Sequence, residues 1–441
     1  MRVVQALGWY FPESIGGTEV YVAGLSRRLC AAGAEVAIAA PDPAAVRERF
    51  YEHEGVPVYR YPVPAAPTRA EVQGLVTVRG AERFHAWLRG QRPDVVHVHT
   101  FGTGLGLAEL KAAKATGARV VATTHSSSLG WVCQRGTMMR WGEALCDGVC
   151  RPAKCAACEL SRRGLPRALA RLVGSIPPAA GLRFRSLPGR LGTALAMSDL
   201  IARNQAAQHE MLATVDRFVV LTRWALEAVA ANGAPPGKLA LNRLGVSRTG
   251  FSAKPSPDRQ PTRLPITVGY LGRLEPVKGV HDLVRAAASL PSETAIRVEI
   301  RGPLVAAGER AYLRELRSLA GTDRRIVFSP PVTHGEVPGL LAGYDVLCCP
   351  AVCLEGGPTV AIEAHAVGTP VIGTRIGGLA ELVDDGVSGR LVAPGNWHAL
   401  ADVLLEMAGD PAGTIDRWRA ALPRPRTMDE VAAEYLTLYR S

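Results

Sequence analysis

The chain has 441 residues, of which 47% are hydrophobic and 21% charged, and its formal net charge is +11. That length exceeds one typical core and indicates two or three domains of ordinary globular composition. The chain contains neither an apolar run approaching the roughly 20 residues that span a bilayer nor, at its start, a secretory signal, so we expect a cytoplasmic protein. The positive charge favours anionic partners without choosing among them.

Residues 1–247 alternate short apolar strands with helical segments. VVQAL predicts a buried strand, the loop with Gly16 and Gly17 leads into a helix from about Thr18, and EVAIAA predicts the next strand. The pattern recurs at DVVHVH, ARVVATTH and RFVVLT. Nearly continuous apolar strands separated by helices are typical of a parallel sheet covered on both faces. We therefore predict a Rossmann-like α/β domain, interrupted by an insertion at residues 133–203.

The insertion contains a cysteine cluster in CDGVCRPAKCAAC. Four thiolates at such short spacing can close a tetrahedral zinc site and hold an irregular loop, although C-x3-C-x4-C-x2-C is not a standard zinc ribbon. We interpret the cluster as a candidate structural zinc site, with free thiols as the main alternative and an iron–sulfur cluster as a weaker one. The candidate ligands are Cys146, Cys150, Cys155 and Cys158.

The second part of the insertion, residues 161–203, is rich in arginine and nearly free of acids. Within it, LPRALARLV has the pattern of an amphipathic helix. One hypothesis is that this segment associates peripherally with the inner face of an anionic plasma membrane and brings the protein to a lipid-linked substrate. A solvated insertion or a substrate-binding lid explains the pattern equally well.

A second run of alternation begins after a polar, proline-rich linker at residues 248–264. PITVGYLG, IRVEI, RIVFS, DVLCCP and PVIG predict the strands of a second Rossmann-like domain at residues 265–422. Residues 423–441 predict an amphipathic helix that packs back on the first domain. Two doubly wound domains are expected to face each other across a cleft lined by the carboxyl ends of their strands, where such sheets bind ligands.

The segment CLEGGPTVAIEAHAVGTPVIG has the features of an anion-binding loop followed by a helix. Pro358 suits the first turn of a helix because it needs no donor there. The amides that follow, from Thr359 onward, would then face an anion, aided by the helix dipole. Gly356 and Gly357 would let a ligand approach the backbone.

Two acids and two cations complete this candidate site. Glu355 precedes the helix and Glu363 lies on its second turn, so one elongated ligand could reach both; a carboxylate accepts two hydrogen bonds from a vicinal diol such as that of ribose. In YLGRLEPVKGV, Arg273 and Lys278 follow a strand and could clamp a diphosphate. The alternative is an incidental acidic pair and two solvated surface cations.

Together these motifs resemble the retaining GT-B-fold glycosyltransferases of family 4, also called glycosyl transferases group 1. The resemblance extends over most of the chain and is most specific in GRLEPVKG and in the E-x7-E segment, which continues into GTPVIGTRIGGLAELVDDGVSGRLVAPGN. Some members of that family have a similar cysteine-rich insertion after the strand that ends in ATTH. The chain departs from the family at LNRLGVS, where adjacent Asn-Gly is common.

The resemblance implies a role for each candidate residue. Arg273 and Lys278 would hold the donor's diphosphate, Glu355 would contact the transferred sugar, and Glu363 would bind the ribose hydroxyls. The Gly16–Gly17 amides would help to stabilise the leaving charge. His125 would lie near the donor sugar and the acceptor, the alternative being a hydrogen-bonded histidine at a strand end. For His97 and His99, polar partners are favoured over a metal.

The resemblance implies transfer of a hexosyl group from a nucleoside-diphosphate sugar to a hydroxyl acceptor, with retention of configuration. The acceptor would be a glycan, a lipid-linked compound or a small molecule in cell-envelope or exopolysaccharide assembly. No cofactor is required for this chemistry, and no nucleic acid partner is expected. The alternatives are a sugar-nucleotide epimerase or phosphorylase of the same fold, and a non-catalytic interaction protein stabilised by metal.

Overall fold

The computed structural model describes residues 1–14, 16–72, 74, 76–246, 261–303 and 307–441. The chain divides into two compact units. The first consists of Met1–Arg243 and Met428–Ser441, and the second is Leu244–Thr427. Residues 248–260 of the predicted linker lie outside the described residues.

The first unit is built on a mostly parallel sheet. Its strands within the described ranges are β1 Arg2–Ala6, β2 Glu35–Asp42, β3 Arg49–His53, β4 Val56–Pro62, β5 Val95–Val98, β6 Arg119–Thr123, β7 Met139–Arg140, β8 Ala144–Leu145, β9 Arg217–Val220 and β10 Leu239–Leu241. The main sheet has the order β10-β9-β6-β5-β1-β2-β4-β3, and only the β3–β4 edge pair is antiparallel. The predicted parallel sheet is confirmed, whereas the β3–β4 hairpin was not predicted.

Helices follow the strands of the first unit. They are α1 Gly17–Ala31, α2 Arg69–Val72, α3 Ala81–Gln91, α4 Leu107–Ala115, α5 Pro152–Arg162, α6 Arg167–Gly174, α7 Pro178–Gly181, α8 Gly189–Leu195, α9 Met197–Thr214 and α10 Arg223–Ala231, with short 3₁₀ turns at Leu182–Phe184 and Pro236–Lys238. On α1 the residues Val22, Leu25 and Leu29 are fully buried, as their helical spacing predicts. Gly33, with φ of 85°, lies just after this helix.

The insertion has a small apolar core of its own. Helix α6 packs closely on α5, because a Cβ on Gly174 would lie 2.7 Å from the backbone nitrogen of Ala157. Only a glycine permits this approach, so α6 is fixed against α5 by backbone contact. The buried members of the core are Cys150, Ala156, Leu160, Ala170, Met197 and Ile201.

The second unit contains a fully parallel sheet. Its strands are β11 Ile266–Leu271, β12 Ile296–Arg301, β13 Ile326–Ser329, β14 Val346–Cys349, β15 Val371–Thr374 and β16 Gly389–Val392, in the order β13-β12-β11-β14-β15-β16. This is the 3-2-1-4-5-6 order of the Rossmann fold, whose direction of winding reverses between β11 and β14. Ligands of such sheets bind at the carboxyl ends of the strands where the order reverses.

The helices of the second unit cover both faces of its sheet. They are α11 Val280–Ala288, α12 Ala307–Ala320, α13 Val337–Gly343, α14 Thr359–Ala366, α15 Gly377–Leu382, α16 Trp397–Gly409 and α17 Arg417–Ala420, with 3₁₀ turns at Pro276–Lys278 and His334–Glu336 and a π-helical turn at Ala412–Asp416. One apolar cluster includes Val268, Leu283 and Trp418, and another includes Leu347 and Leu379. The sheet is therefore buried from both sides, as in doubly wound folds.

After the second unit the chain returns to the first with helix α18, Met428–Arg440. This helix packs along α1 and buries the tyrosine pair Tyr435 and Tyr439. None of the helices in the described part of the chain is long and apolar enough to cross a bilayer.

Candidate active site

The loops that follow β11 and β14 meet at the point where the second sheet reverses its winding. The backbone nitrogen of Val352 donates a 3.0 Å hydrogen bond to the carbonyl of Val277, which joins the two loops. Gly279 has φ of 68°, and a Cβ there would lie 1.9 Å from the carbonyl oxygen of Pro350. A glycine is therefore required for the two loops to lie this close together.

Lys278 and Glu355 form an ion pair between these loops. Nζ of Lys278 donates to Oε1 of Glu355, and the side chains are 23% and 20% exposed. Burial acts to lower the pKa of Lys278, but the Glu355 carboxylate outweighs it, so the pKa is raised above its ordinary value. Lys278 thus stays charged, and the pair remains partly open to solvent.

Arg273 lies on the same turn but does not join this pair. Its guanidinium donates a 2.7 Å hydrogen bond to Glu275, and its side chain is 61% exposed. The turn itself is held by Tyr270, whose hydroxyl donates a 2.7 Å hydrogen bond to the carbonyl of Arg273. Arg273 and Lys278 thus each contact a different acid, and their predicted role as a diphosphate clamp stays a prediction.

The predicted glycine loop leads into α14, which begins at Thr359. Gly356 and Gly357 are half-buried, and Gly357 has φ of 108°, a conformation that favours glycine. Pro358 caps the helix instead of standing in its first turn. The amide of Ala361 donates a 3.0 Å hydrogen bond to the carbonyl of Pro358. Helical geometry gives the two preceding amides, those of Thr359 and Val360, no acceptor within the helix, so they can bind an anion. Glu363 is 3% exposed, and its predicted ribose contact is untested.

Gly377 and Gly378, which the sequence analysis did not single out, pack closely against the loop that carries Glu355. The amide of Gly378 donates a 2.8 Å hydrogen bond to the carbonyl of Glu355. A Cβ on Gly378 would lie 2.5 Å from the Cα of Gly357, and one on Gly377 would lie 2.7 Å from the backbone nitrogen of Glu355. The signal was the adjacent glycine pair in TRIGGLAEL, which marks a close backbone approach.

Two buried thiols, Cys349 and Cys353, also lie in the electrostatic field of this site. For both, burial and then the negative charge of Glu355 raise the pKa to about 12, although Lys278 acts in the opposite direction. They are therefore protonated at neutral pH and behave as small apolar side chains with a weak donor. Neither was singled out from the sequence.

In the first unit, His125 is half-buried and contacts a cluster of buried polar side chains at the end of β5 and β6. Its Nε2 lies 3.1 Å from Nδ1 of His99, and Nε2 of His99 lies 2.6 Å from Oε1 of Gln5. His97 lies 2.6 Å from the hydroxyl of Tyr439 and 2.7 Å from Oγ1 of Thr123. His97 and His99 thus have polar partners, which was the favoured prediction for them.

The hydrogen bonds determine which nitrogen of His125 carries the proton. Oε1 of Gln5 can only accept, so His99 is protonated on Nε2 and its Nδ1 must accept. His125 therefore donates from Nε2 and keeps a lone pair on Nδ1. Removal of water lowers the pKa of His125 to about 3, and burial holds the pKa of His99 well below its ordinary range. Both rings are neutral at pH 7.

Helix α18 closes this histidine cluster from one side. The hydroxyl of Tyr435 lies 2.9 Å from Oγ1 of Thr123 and accepts a 3.1 Å hydrogen bond from Tyr21. The hydroxyl of Tyr439 accepts a 3.3 Å hydrogen bond from the Gln5 amide. The sequence reasoning missed both tyrosines, although their i, i+4 spacing places them on one helix face.

Gly16 and Gly17 stand at the start of α1, as predicted. Gly16 is the N-cap of this helix, and a Cβ there would lie 2.9 Å from Oε2 of Glu19. Glu19 is 2% exposed and accepts a hydrogen bond from the hydroxyl of Ser14. A carboxylate therefore already faces this helix terminus, and an anion-binding role of its amides remains a prediction.

The predicted zinc site is not supported. All nine cysteines lie in the described part of the chain and are free thiols. Among the described residues, no group of three or more ligating side chains could hold a metal ion. Cys158 instead accepts a 3.4 Å hydrogen bond from the backbone of Trp141. A hydrogen bond between Cys150 and Cys155 raises the pKa of the first and lowers that of the second to about 6. Local hydrogen bonds thus accommodate Cys146, Cys150, Cys155 and Cys158, and the zinc prediction is corrected to free thiols.

Two Rossmann-like units, the second with charged loops where its sheet reverses, are the architecture of the GT-B fold. Residues 16–245 match the glycosyl transferase 4-like domain, and residues 257–421 match glycosyl transferases group 1. The first match covers more than half of the chain. The chain therefore belongs to the glycosyl transferase 4-like family, and residues 257–421 are similar to glycosyl transferases group 1.

Curated relatives include D-inositol 3-phosphate glycosyltransferase of Mycobacterium tuberculosis (strain ATCC 25618 / H37Rv) and of Mycobacterium bovis (strain ATCC BAA-935 / AF2122/97). Each is 30% identical to this chain over 246 residues, which are 52% of the chain and 50% of the relative. The chain thus spans about half the length of the curated relatives it matches.

Solved structures of the same fold match the whole chain. Sucrose-phosphate synthase from Thermosynechococcus elongatus is similar with a TM-score of 0.66 and 20% identity, covering 100% of this chain and 98% of that one. HepE of Anabaena, in complex with UDP and glucose, has a TM-score of 0.62 and 15% identity, covering 100% and 99%. At these identities the similarity shows the fold alone, and it confirms the predicted GT-B class.

Proposed function

We propose that the chain transfers a hexosyl group from a nucleoside-diphosphate sugar to a hydroxyl acceptor, with retention of configuration. The observation that carries the proposal is the Lys278–Glu355 pair, held by glycine-dependent contacts at the ligand-binding edge of the second sheet. The pair supplies a cation and a carboxylate within one partly exposed site, and we assign the first to a diphosphate and the second to sugar hydroxyls. The names of similar proteins, among them HepE in complex with UDP-glucose, support a nucleotide-sugar donor.

In the proposed reaction the bond between the anomeric carbon and the phosphate oxygen breaks, and the diphosphate leaves with the electron pair. Lys278, Arg273 and the first amides of α14 stabilise the charge that develops on it. The acceptor oxygen forms the new bond on the same face, and its proton passes to the departing phosphate oxygen. Glu363 holds the ribose, and Glu355 binds hydroxyls of the transferred sugar.

On the acceptor side we assign His125, with contributions from the Gly16–Gly17 amides. His125 is neutral and presents a lone pair on Nδ1, so it can accept a hydrogen bond from a sugar or acceptor hydroxyl but carries no positive charge. Its proposed role is therefore orientation, not acid catalysis. The family and the names of the relatives favour a glycosyltransferase over an epimerase, a phosphorylase or a non-catalytic protein. A role in cell-envelope or exopolysaccharide assembly is part of the same proposal.

A thermal-shift panel of UDP, GDP and ADP, followed by release of the diphosphate from the matching sugar nucleotide, tests the proposal. We expect one nucleotide to stabilise the protein, Glu363→Ala to weaken that stabilisation, and Glu355→Ala to reduce sugar transfer more than nucleotide binding. Glu315→Ala is the matched control for the loss of a negative charge, because Glu315 is exposed on α12 of the same unit. If no nucleotide binds the folded protein, the proposal fails. NMR of the product's anomeric centre tests retention.

A further inference from the structure

The insertion exposes large apolar side chains along one stretch of chain. Within residues 169–191 the side chains of five leucines are exposed. Leu172 and Leu191 are 69% and 70% exposed, Leu169 and Leu182 are 47% and 49% exposed, and Leu187 is 41% exposed. We call these five residues the leucine surface. Scattered exposed leucines are ordinary, but a cluster of them marks an interaction site.

The geometry of α6 shows that these leucines do not belong to the core of the insertion. Ala170 and Gly174, four residues apart, are buried and face α5. Leu169 and Leu172 lie on the opposite side of the helix, because they are displaced from that pair by roughly 150° at the helical period. The core side of α6 is already filled, so its second apolar face requires another partner.

The charges around the leucine surface are positive. Arg171, Arg183 and Arg190 are exposed, and the one acid between residues 161 and 203, Asp199, is buried and paired with Arg185. The guanidinium of Arg171 also lies 5.5 Å from the ring centre of Trp141. Surfaces that lie in the interface of an anionic bilayer typically combine exposed leucines with arginine and tryptophan.

We propose that the leucine surface, with Arg171, Arg183 and Arg190, docks this protein on an anionic lipid membrane. The leucines enter the boundary between headgroups and acyl chains, while the arginines contact the lipid phosphates. A second copy of the chain is a poorer occupant, since a two-fold interface would bring the same arginines against each other. This docking is independent of the glycosyltransferase chemistry, because the surface contains none of the residues assigned to the donor or to the acceptor.

Flotation of the full chain with vesicles tests this proposal. We expect binding to vesicles of phosphatidylcholine with phosphatidylglycerol, little binding to phosphatidylcholine alone, and weaker binding as salt rises. The double variant Leu172→Gln/Leu191→Gln should bind about tenfold more weakly or worse, since two leucines no longer leave water. Arg183→Gln/Arg190→Gln should lose the preference for anionic vesicles. Leu405→Gln is the control, because Leu405 is 47% exposed on α16 of the second unit.

Wild-type-like binding by the leucine double variant, equal binding to neutral vesicles, or no binding by the folded protein would each overturn the proposal. Light scattering tests the alternative occupant, a second copy of the chain. If the wild-type protein is a dimer and the leucine double variant is a monomer, the leucine surface is a dimer interface instead. Thermal unfolding confirms that the variants are folded. Nucleotide binding by the same samples reports separately on the proposed function, so the two proposals can fail independently.

Discussion

Nε2 of His125 donates a hydrogen bond to Nδ1 of His99 across 3.1 Å, and this contact fixes the tautomer of His125. The direction originates at Gln5, whose Oε1 lies 2.6 Å from the other nitrogen of His99 and can only accept. A residue on the first strand thus determines where a lone pair is presented at the end of β6, two strands away.

We expect nitrogen-15 NMR to show His125 as the neutral Nε2–H tautomer down to about pH 5, because its pKa is lowered to about 3 by loss of water. Gln5→Met removes the acceptor that orients His99, so the signal of His125 should then report a mixture of tautomers. An imidazolium signal from His125 at about pH 6 in the wild-type protein would contradict this assignment.

Removing one partner of the Lys278–Glu355 pair should destabilise the protein. Lys278→Met leaves the Glu355 carboxylate partly buried without its cation, and we expect the free energy of unfolding to fall by about 1–3 kcal/mol. The exchange Lys278→Glu/Glu355→Lys should restore part of this loss in urea denaturation while sugar transfer stays impaired. Should the exchanged protein transfer sugar normally, the pair would be structural only.

Gly378→Ala should displace the loop that carries Glu355, because its Cβ would lie 2.5 Å from the Cα of Gly357. We expect nucleotide or donor binding to weaken by about tenfold, with a smaller change in melting temperature. Gly339→Ala is the matched control: no atom lies within 4 Å of its Cβ position on α13, and alanine favours a helix by about 0.5–1 kcal/mol. Calorimetry of both variants distinguishes local displacement from a general effect of alanine.

His365 on α14 has a buried imidazole ring whose nitrogens make no hydrogen bonds in the described part of the chain. The residue is 1% exposed. Because such a group costs about 1–3 kcal/mol, His365→Met should raise the free energy of unfolding by a similar amount. A decrease on substitution would show that the ring makes a favourable contact.

The same residue predicts a dependence of stability on pH. Burial lowers the pKa of His365 from 6.5 to about 4, so the unfolded chain binds its proton first as the pH falls. The free energy of unfolding should therefore decrease between about pH 7 and 5, by about 2 kcal/mol from this group. His365→Met should reduce that slope in denaturation curves recorded at several pH values. An unchanged slope would show that groups other than His365 cause the acid sensitivity.

The sequence was sufficient for most strands of the two main sheets, because each of these is an apolar run bounded by turn residues. Strands β3, β4, β10 and β16 were not predicted. The sequence also led to Lys278 and Glu355, since both follow strands that become neighbours where the winding reverses. Arg273 was predicted as a clamp with Lys278, and that role stays a prediction. Its hydrogen bond to Glu275 on its own turn was not predicted, because it depends on local rotamers, which residue spacing does not encode.

The rest of the candidate site depends on contacts between distant parts of the chain. Gln5 and His99 meet because β1 pairs with β5, and the packing of α18 on the first unit adds Tyr439. The cysteine spacing was compatible with a tetrahedral site, yet spacing alone does not set the direction of each thiol. Sγ of Cys158, for example, accepts a hydrogen bond from the backbone amide of Trp141.

Helix α18 has a consequence for how the protein is made. The first unit consists of residues 1–243 and 428–441, so a ribosome must synthesise the entire second unit before the first can be completed. Until then the pocket for Tyr435 and Tyr439 stays open in the nascent chain, with the polar groups of Gln5 and Thr123 lacking their hydroxyl partners. The amino-terminal unit, though translated first, thus cannot complete its native structure until residues 428–441 have been synthesised.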